Sequence, residues 1–258
     1  VAVGFTLAVV YPPAGNLGGG GFALIRDGTS GEITSLDFRE TAPSGSFETM
    51  YLDSVGQVIS DASTRGARSA GVPGTVAGLH TLWKKHGSLP WADLIAPAIA
   101  LADSGFVVDS ALALEFADND SDLFSFPETE AIFARDGRIP QRGDSLIQRD
   151  LARSLRMIAK DGPSAFYEGE IAAHIVECME RHGGLITADD LASYAPLWRA
   201  PLRFTFDSLD IVSMAPPSSG GIVMGEILKL LEPYDFSGWS PFSPEYIHLF
   251  CEAARLAY

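Results

Sequence analysis

Apolar residues recur at helical intervals through the middle of the chain. Between residues 74 and 106 they follow each other three or four positions apart, and Gly87 and Gly105 stand where helices typically stop. The same spacing predicts a helix that ends at Gly162-Pro163 and another from about 168 to 182. These segments indicate a protein with a large helical content.

Both ends of the chain carry helix patterns as well. The first ten residues are apolar almost throughout and stop at Pro12-Pro13, which is typical of the back half of a buried helix. Near the other end, Ser243-Pro244-Glu245 is a typical helix start, and no stop signal follows it before Tyr258. We therefore expect a sequence that is incomplete at both ends.

Strand patterns around turn residues predict two β-hairpins. The first pairs residues 22–26 with 32–38 across the glycine-bearing turn 27–31. The second pairs 202–206 with 209–213 across a tight Asp-Ser turn. These hairpins place strands at two distant points of a chain that is otherwise mainly helical.

The remaining segments complete a mixed architecture. Thr187 is a typical N-cap for a short helix, and Pro216–Gly221 leads into an apolar helix at about 222–232. Residues 107–145 are polar and acidic, and we expect them to be helical only in part. Because no repeat or low-complexity linker interrupts the pattern, we predict one α+β domain over residues 1–258.

Composition excludes several classes of function. The chain has 18 Lys and Arg against 33 Asp and Glu, a net charge of −15, so it offers no basic surface to nucleic acid or to an anionic membrane. No apolar run reaches the ~20 residues of a membrane-spanning helix, so no membrane insertion is expected. The apolar fraction of 47% and the charged fraction of 20% indicate a folded protein.

Cysteine and histidine give no support for a metal site. Cys178 and Cys251 are too few for a disulfide framework or a cysteine-rich zinc site. We expect them to be buried free thiols, with one bridge between them as the alternative. The five His residues show no spacing typical of metal ligands, so neither a metal nor a cofactor is predicted.

Two glycine-containing segments suggest chemistry but have simpler explanations. Gly18, Gly19, Gly20 and Gly21 precede a strand, whereas glycines that bind nucleotide phosphates follow one, so a positive φ or close packing is favoured. His182-Gly183-Gly184 is similar to an esterase oxyanion loop, but the nucleophile motif G-x-S-x-G is absent from the sequence. We expect a helix C-terminus at this point and no labelling of the chain by a fluorophosphonate.

Arg39 is the strongest candidate for ligand binding. It follows a predicted strand and precedes Pro43, which forces the chain out of the sheet. A guanidinium at a strand end binds a carboxylate through two parallel hydrogen bonds, a geometry that Lys does not reproduce. The alternative is a surface ion pair with Asp37 or Glu40, worth ~0–1 kcal/mol, which the local sequence alone favours.

A series of short motifs runs through the whole chain. In order they are Tyr11–Phe22 (YPPAGNLGGGGF), Leu36–Pro43 (LDFRETAP), Gly71–Leu79 (GVPGTVAGL), His86–Trp91 (HGSLPW) with Pro97–Ala102 and Gly105-Phe106, Phe166–Gly169 (FYEG), Gly183-Gly184 with Asp190–Tyr194 (DLASY), Pro216–Gly221 (PPSSGG) and Glu252–Tyr258 (EAARLAY). Together they resemble the large subunit of the gamma-glutamyltransferase (gamma-glutamyltranspeptidase) family. The resemblance is weakest over residues 107–145, and its specificity comes from the order of the motifs.

The resemblance implies an N-terminal nucleophile hydrolase fold, a four-layer αββα sandwich, of which this chain would be the helix-rich large-subunit part. It also implies a proenzyme that cuts itself into two subunits. The nucleophile would be the Thr at the start of the small subunit, with its own α-amino group as general base. The expected partners are therefore the small subunit and a γ-glutamyl small molecule. No catalytic residue is expected in this chain.

Only one functional residue is carried over from the family. Arg39 stands in the position of the arginine that binds the α-carboxylate of the substrate, and this context favours ligand binding over the ion pair. Family motifs are also matched by two sets of residues that we treat as scaffold near the site: Gly18, Gly19, Gly20 and Gly21, and Ser218, Ser219, Gly220 and Gly221.

Three hypotheses for function follow from the resemblance. The leading one is a gamma-glutamyltransferase that acts on glutathione or related compounds. The first alternative is an acylase of the same family, acting on glutaryl-cephalosporins or poly-γ-glutamate. The second is a non-catalytic truncated relic. Family habit suggests a periplasmic or secreted location, although some members are cytoplasmic.

Overall fold

The chain divides into two compact units. The first contains Val1–Gly21 and Phe38–Pro196, and the second contains Phe22–Asp37 and Leu197–Tyr258. A computed structural model describes residues 1–14, 16–134 and 137–258, so Gly15 of the first motif lies outside the described residues. That the two units form one domain stays a prediction.

Helices dominate the first unit, and most of the strands lie in the second. The helices are α1 (Ala2–Val10), α2 (Thr75–His86), α3 (Trp91–Ser104), α4 (Ser110–Asp118), α5 (Asp120–Leu123), α6 (Pro127–Phe133), α7 (Arg149–Asp161), α8 (Ser164–Tyr167), α9 (Glu170–His182), α10 (Ala188–Ser193), α11 (Gly220–Leu231) and α12 (Pro244–Ala257). The strands are β1 (Phe22–Arg26), β2 (Ile33–Asp37), β3 (Phe106–Val107), β4 (Ser145–Leu146), β5 (Leu197–Arg199), β6 (Leu202–Phe206) and β7 (Leu209–Ser213). The predicted α+β class is confirmed.

The core of the first unit forms where α3 packs against α1 and α7. Phe5, Ile95, Leu155 and Ile158 are completely buried there, one or two from each of the three helices. Each such side chain contributes about 1.5–3 kcal/mol through removal of apolar surface from water. The indole N–H of Trp91 donates to the carbonyl of Ile158 at 2.9 Å, which also joins α3 to α7.

The helices predicted for this core are confirmed, with one difference in burial at the first helix. Phe5 and Val9 of α1 are buried, but Val3 and Leu7 are 70% and 45% exposed. The apolar run therefore forms a helix as expected. In the described chain it is buried on one side only.

The second unit is built on antiparallel strands. A three-stranded sheet has the order β1-β2-β5, and β6 pairs with β7. In the first hairpin Phe22 pairs with Asp37 and Arg26 pairs with Ile33, so both predicted hairpins are confirmed. Strand β5 has only three residues and was missed because it is too short to show alternation. Helix α11 packs on β6, β7 and α12.

The expectation of buried cysteines is wrong. Cys178 and Cys251 are free, as expected, but both are exposed. Helix α9 is buried only near its start, at Ile171 and Ala172, and Cys178 lies two turns later. In α12 the buried residue is Ala253, two positions after Cys251, so the thiol points to the opposite side of the helix.

Candidate functional site

The site is centred on the segment Phe38–Ser44, which we call the Arg39 segment. It begins where β2 ends, and its first residue, Phe38, is 8% exposed. Arg39 and Glu40 are exposed, and Pro43 is buried. The chain therefore buries residues near both ends of the segment and leaves the Arg39 side chain at the surface.

Backbone hydrogen bonds fix this segment on both sides. Phe38 and Gly21 exchange two bonds, at 2.9 Å and 3.2 Å between nitrogen and oxygen. Thr41 and Val72 exchange two more, at 2.8 Å and 3.3 Å. Because four peptide groups are paired in this way, the backbone around Arg39 has little freedom to rotate.

Glycines from other parts of the chain pack directly against the same backbone. A Cβ at Gly20 would lie 2.5 Å from the carbonyl oxygen of Phe38 and 2.9 Å from Cα of Arg39. A Cβ at Gly74 would lie 2.0 Å from the same oxygen. These distances are far shorter than carbon contacts in packed interiors, so any larger residue must displace the segment.

Two more glycines complete this contact surface. A Cβ at Gly71 would lie 2.9 Å from Cβ of Glu40, and one at Gly78 would lie 2.2 Å from Cγ of Phe38. Of the two explanations offered for residues 18–21, close packing is confirmed for Gly20 and Gly21, where a Cβ would lie 2.5 Å and 3.0 Å from atoms of Phe38. None of the four has a positive φ. The sequence thus keeps small residues where α2 begins because the Arg39 segment crosses it at that point.

The glycine loop also satisfies the start of α2. The carbonyl of Gly19 accepts hydrogen bonds from the N–H groups of Gly74 and Thr75, at 2.8 Å and 3.0 Å. Such N–H groups at a helix start have no partner within the helix. The loop, the helix start and the Arg39 segment therefore hold one another through main-chain atoms.

Helix α10 contacts the Arg39 segment near both of its ends. The hydroxyl of Tyr194, which follows the helix, donates to the carbonyl of Arg39 at 2.9 Å. The carboxylate of Asp190 accepts from the N–H of Ser44 at 2.9 Å. Asp190 also completes a capping box with Thr187, which confirms the predicted helix start.

The ionisation of Asp190 fits its contacts. Burial alone would raise the pKa of Asp190, but the N–H groups of Thr187 and Ser44 donate to its carboxylate and together lower the pKa below its usual range. The carboxylate is therefore charged at neutral pH, when it holds Ser44 most strongly.

Tyr194 is itself held by a second tyrosine. Its ring stacks on Tyr167 with centroids 5.8 Å apart and an angle of 6° between the ring planes. Tyr167 is 6% exposed, and its hydroxyl donates to the carbonyl of Pro73 at 2.9 Å. Burial raises the pKa of Tyr167, so this phenol stays protonated and remains a donor at every physiological pH.

Asp37 has an arginine partner in its own sheet. Its Oδ2 accepts from Nε of Arg199 at 2.8 Å, and its side chain is 8% exposed. This bond joins β2 to β5 in the second unit.

The second predicted scaffold lies in the second unit, whereas Arg39 and Gly18–Gly21 lie in the first. Ser219 occupies the N-cap position of α11 without a capping bond from its side chain, and Gly220 and Gly221 are the first two residues of the helix. A Cβ at Gly221 would lie 2.6 Å from the carbonyl oxygen of Met214, so this glycine allows the turn after β7 to close on the helix. The contact is structural and local.

The other candidates for chemistry are not supported by the structure. His182 is the last residue of α9, and Gly183 follows it in the left-handed conformation of a helix stop, as predicted. Among the described residues, no group of three or more His, Cys, Asp or Glu side chains is arranged to hold a metal ion. Within residues 1–14, 16–134 and 137–258, no helix has both the length and the apolar character needed to cross a bilayer.

Sequence reasoning identified Arg39 but missed the residues that hold it. Tyr194, Gly71 and Gly74 occur in the motifs that carried the family resemblance, yet no local pattern gave them a role, and the contact of Asp190 with Ser44 was not predicted either. Their partners are separated from them in sequence, by 155 residues for Tyr194 and Arg39. The arrangement as a whole presents an exposed guanidinium on an immobilised backbone, which is what geometric recognition of a carboxylate requires.

Comparisons with known proteins support the resemblance over the whole chain. The family model described as gamma-glutamyltranspeptidase matches residues 1–258. Glutathione hydrolase proenzyme of Escherichia coli (strain K12) is 42% identical over 259 residues, which cover 100% of this chain and 44% of that protein. The crystal structure of Helicobacter pylori gamma-glutamyltranspeptidase superposes with a TM-score of 0.96 at 41% identity, covering 100% of this chain and 74% of that chain.

One relative carries a different activity in its name. Acylase ACY 1 proenzyme of Pseudomonas sp. (strain SE83) is 34% identical over 264 residues, covering 100% of this chain and 47% of that protein. The chain thus spans less than half the length of the curated relatives described here.

Proposed function

The chain belongs to the gamma-glutamyltranspeptidase family, and from this premise we propose that it is the large-subunit part of an enzyme that cleaves γ-glutamyl amide bonds. Its substrates are glutathione and related compounds, and the γ-glutamyl group passes to water, an amino acid or a peptide. The observation that carries the proposal is the Arg39 segment, in which an exposed arginine extends from a backbone held on both sides.

In this proposal Arg39 binds the α-carboxylate of the substrate. Two parallel N–H···O bonds fix the direction of the glutamyl chain as well as its position. The close packing of Gly20 and Gly74 supports this role, because a backbone that is already fixed adds no ordering cost of its own when the guanidinium binds. The net charge of −15 does not attract an anionic substrate, so recognition depends on this local geometry.

The chemical step would use groups outside this chain. The hydroxyl of a Thr at the start of a second subunit attacks the γ-carbonyl, while its α-amino group takes the proton. The amide C–N bond breaks, the amine leaves with a proton, and an acyl-enzyme ester remains. Water or a second amine then attacks the ester and restores the Thr hydroxyl. That relatives are named proenzymes supports a partner subunit produced by cleavage.

The second candidate is an acylase of the same family. The acylase relative, at 34% identity, favours it. Glutaryl and γ-glutamyl amides both carry a carboxylate at the position that Arg39 would bind, and they differ in the α-amino group. The described residues of this chain offer Arg39 for the shared group, so substrate assays must separate the two activities. The periplasmic or secreted location stays a prediction.

The test is a kinetic comparison on the full-length protein. γ-Glutamyl-p-nitroanilide and glutaryl-p-nitroanilide are assayed side by side with wild type and Arg39→Lys. We expect activity on the γ-glutamyl substrate, and a KM raised about 10- to 100-fold by Arg39→Lys, since a charged hydrogen bond contributes about 1.5–3 kcal/mol. Arg153→Lys is the matched control, because Arg153 forms an exposed ion pair with Glu170 on the same unit.

The outcomes separate the hypotheses. Activity on the glutaryl substrate alone would establish the acylase. Activity on neither substrate would favour the non-catalytic relic. An unchanged KM in Arg39→Lys would assign Arg39 to a surface ion pair.

A further inference from the structure

We propose that Tyr194 is a positioning residue for Arg39 and so contributes to recognition of the substrate carboxylate. The inference rests on the proposed role of Arg39. In this inference Tyr194 contributes to substrate binding through Arg39 and does not itself contact the substrate.

The hydroxyl of Tyr194 fixes one particular peptide group. It donates to the carbonyl oxygen of Arg39 at 2.9 Å, and that carbonyl belongs to the peptide between Arg39 and Glu40. The peptide on the other side of Arg39 is fixed by the bond from Gly21 N–H to the Phe38 carbonyl. With both flanking peptides held, the Cα–Cβ bond of Arg39 has one direction, which fixes the point from which its side chain extends towards a ligand.

The hydroxyl sits in a slot that exists only because residue 74 is glycine. A Cβ there would lie 2.1 Å from the Tyr194 oxygen and 2.0 Å from the Phe38 carbonyl oxygen. The phenol oxygen therefore lies between the start of α2 and the Arg39 backbone. Packing of the Tyr194 ring alone would not require a hydroxyl group at this position.

The ring is held independently of its hydroxyl. It stacks on the buried Tyr167, whose hydroxyl donates to the Pro73 carbonyl at 2.9 Å and accepts from the Ala77 N–H at 3.3 Å. Tyr194→Phe therefore removes the bond to Arg39 and leaves the stacked ring in place. The substitution tests the positioning contact without removing the support for the fold.

The expected effect is on binding more than on chemistry. Loss of one neutral hydrogen bond corresponds to about a 3- to 10-fold change in an equilibrium constant. In the full-length protein, Tyr194→Phe should raise KM for γ-glutamyl-p-nitroanilide by about that factor and leave kcat within about 2-fold. The ratio of inhibition constants for 4-aminobutyrate, which lacks the α-carboxylate, and L-glutamate should fall by a similar factor.

Two further variants isolate the route through Arg39. In an Arg39→Ala background the Tyr194 hydroxyl has no guanidinium to position, so adding Tyr194→Phe should change KM by less than about 1.5-fold. Tyr51→Phe is the matched control, because the Tyr51 hydroxyl donates to the carbonyl of Arg68 at 3.4 Å in the same unit. It should leave KM unchanged.

The outcomes distinguish failure of this inference from failure of the proposed function. If wild type binds L-glutamate no more tightly than 4-aminobutyrate, the role of Arg39 is wrong and the inference about Tyr194 is overturned with it. If wild type discriminates and Tyr194→Phe discriminates equally well, only the inference about Tyr194 is overturned. If Tyr194→Phe raises KM by the same factor in the Arg39→Ala background as in wild type, Tyr194 acts through the stability of the fold and not through Arg39. That result would also overturn the inference.

Discussion

The segments Gly18–Gly21 and Ser218–Gly221 both contain adjacent glycines but are held by different kinds of contact. In Gly18–Gly21, the tightest contact is made by Gly20 against a backbone almost twenty residues further along. In Ser218–Gly221, it is made by Gly221 against Ser213 and Met214, within eight residues. Each segment therefore contains a glycine that packing requires and another that it does not. The required glycine of the first segment touches the backbone of the candidate ligand-binding residue.

The largest effect is expected from Gly20→Ala. Its Cβ would meet three main-chain atoms of Phe38, Arg39 and Glu40 at less than 3.0 Å, and main-chain atoms paired on both sides do not move easily. We expect a loss of about 3 kcal/mol in the free energy of unfolding of the full-length protein, measured by urea denaturation. KM for the γ-glutamyl substrate should also rise, because the displaced atoms include Cα of Arg39.

This prediction has a clear contrary result. If Gly20→Ala lowers stability and leaves KM unchanged, the long-range contact of Gly20 supports the fold only. The two glycine segments would then not differ in their effect on substrate binding. Gly45→Ala is a suitable control in the same unit. There the nearest atom to a new Cβ is the carbonyl oxygen of Leu185 at 4.0 Å, so both stability and KM should stay close to wild type.

A smaller effect is expected from Gly221→Ala in the second segment. Its Cβ would lie 2.6 Å from the Met214 carbonyl oxygen and 3.0 Å from Cβ of Ser213, but Oγ of Ser213, at 2.9 Å, can rotate away. We expect a loss of about 2 kcal/mol, measured in the same way. A loss larger than that of Gly20→Ala would show that local contacts restrict the backbone more than distant ones do.

The same distinction explains what sequence reasoning found and what it missed. The β6–β7 hairpin, the stop of α9 at Gly183 and the N-cap of α10 at Thr187 depend on residues within a few positions of one another, and all were predicted. Strand β5 and the short β3 and β4 carry too few residues for a period to show. The bounds of α4, α5 and α6 in the acidic region were also missed, because these helices have only four to nine residues each and show too little of a helical period.

The candidate site divides along the same line. Arg39 could be named as a candidate because a strand before it and Pro43 after it are adjacent in sequence, and the family resemblance then favoured ligand binding over an ion pair. Tyr194 and Gly74 could not, because what gives them a role is the Arg39 segment itself, brought to them by the fold. A tyrosine or a glycine has many uses, and only its partner in space selects one of them.

A moderate, pH-dependent effect is expected from Asp190→Asn, which acts on the far end of the Arg39 segment. Hydrogen bonds from Thr187 and Ser44 lower the pKa of Asp190 in the folded state, against the opposing effect of burial. The stabilisation is therefore fully present above the unfolded pKa of about 3.9 and is lost as the pH falls through the lower folded value. At pH 7 we expect the variant to be about 1 kcal/mol less stable than wild type.

Urea denaturation at pH 7, 5 and 3 checks the direction of this effect. The difference between wild type and Asp190→Asn should be similar at pH 7 and 5 and smaller at pH 3. Asp189→Asn removes the same charge from the adjacent exposed position of α10 and should have an effect of less than about 0.5 kcal/mol. A difference that grows as the pH falls would contradict the assigned direction of the pKa.

The smallest effects are expected where each segment has a glycine that packing does not require. At Gly220, the first residue of α11, a Cβ would meet only Oγ of Ser218 at 3.7 Å, an ordinary contact, and the backbone φ is not positive. Alanine there should stabilise the protein by about 0.5 kcal/mol, since it restricts the unfolded chain and favours the helix.

At Gly18 a Cβ would lie 3.3 Å from Oδ1 of Asn16, a side-chain atom that must shift slightly, so the gain and the cost should nearly cancel. Thermal unfolding midpoints of the two variants therefore test whether the stability effect depends on the contacts of each individual glycine or on the presence of an uninterrupted glycine segment. If Gly220→Ala were as harmful as Gly221→Ala, the run would be required as a unit, and the contact made by each glycine would no longer explain why it is there.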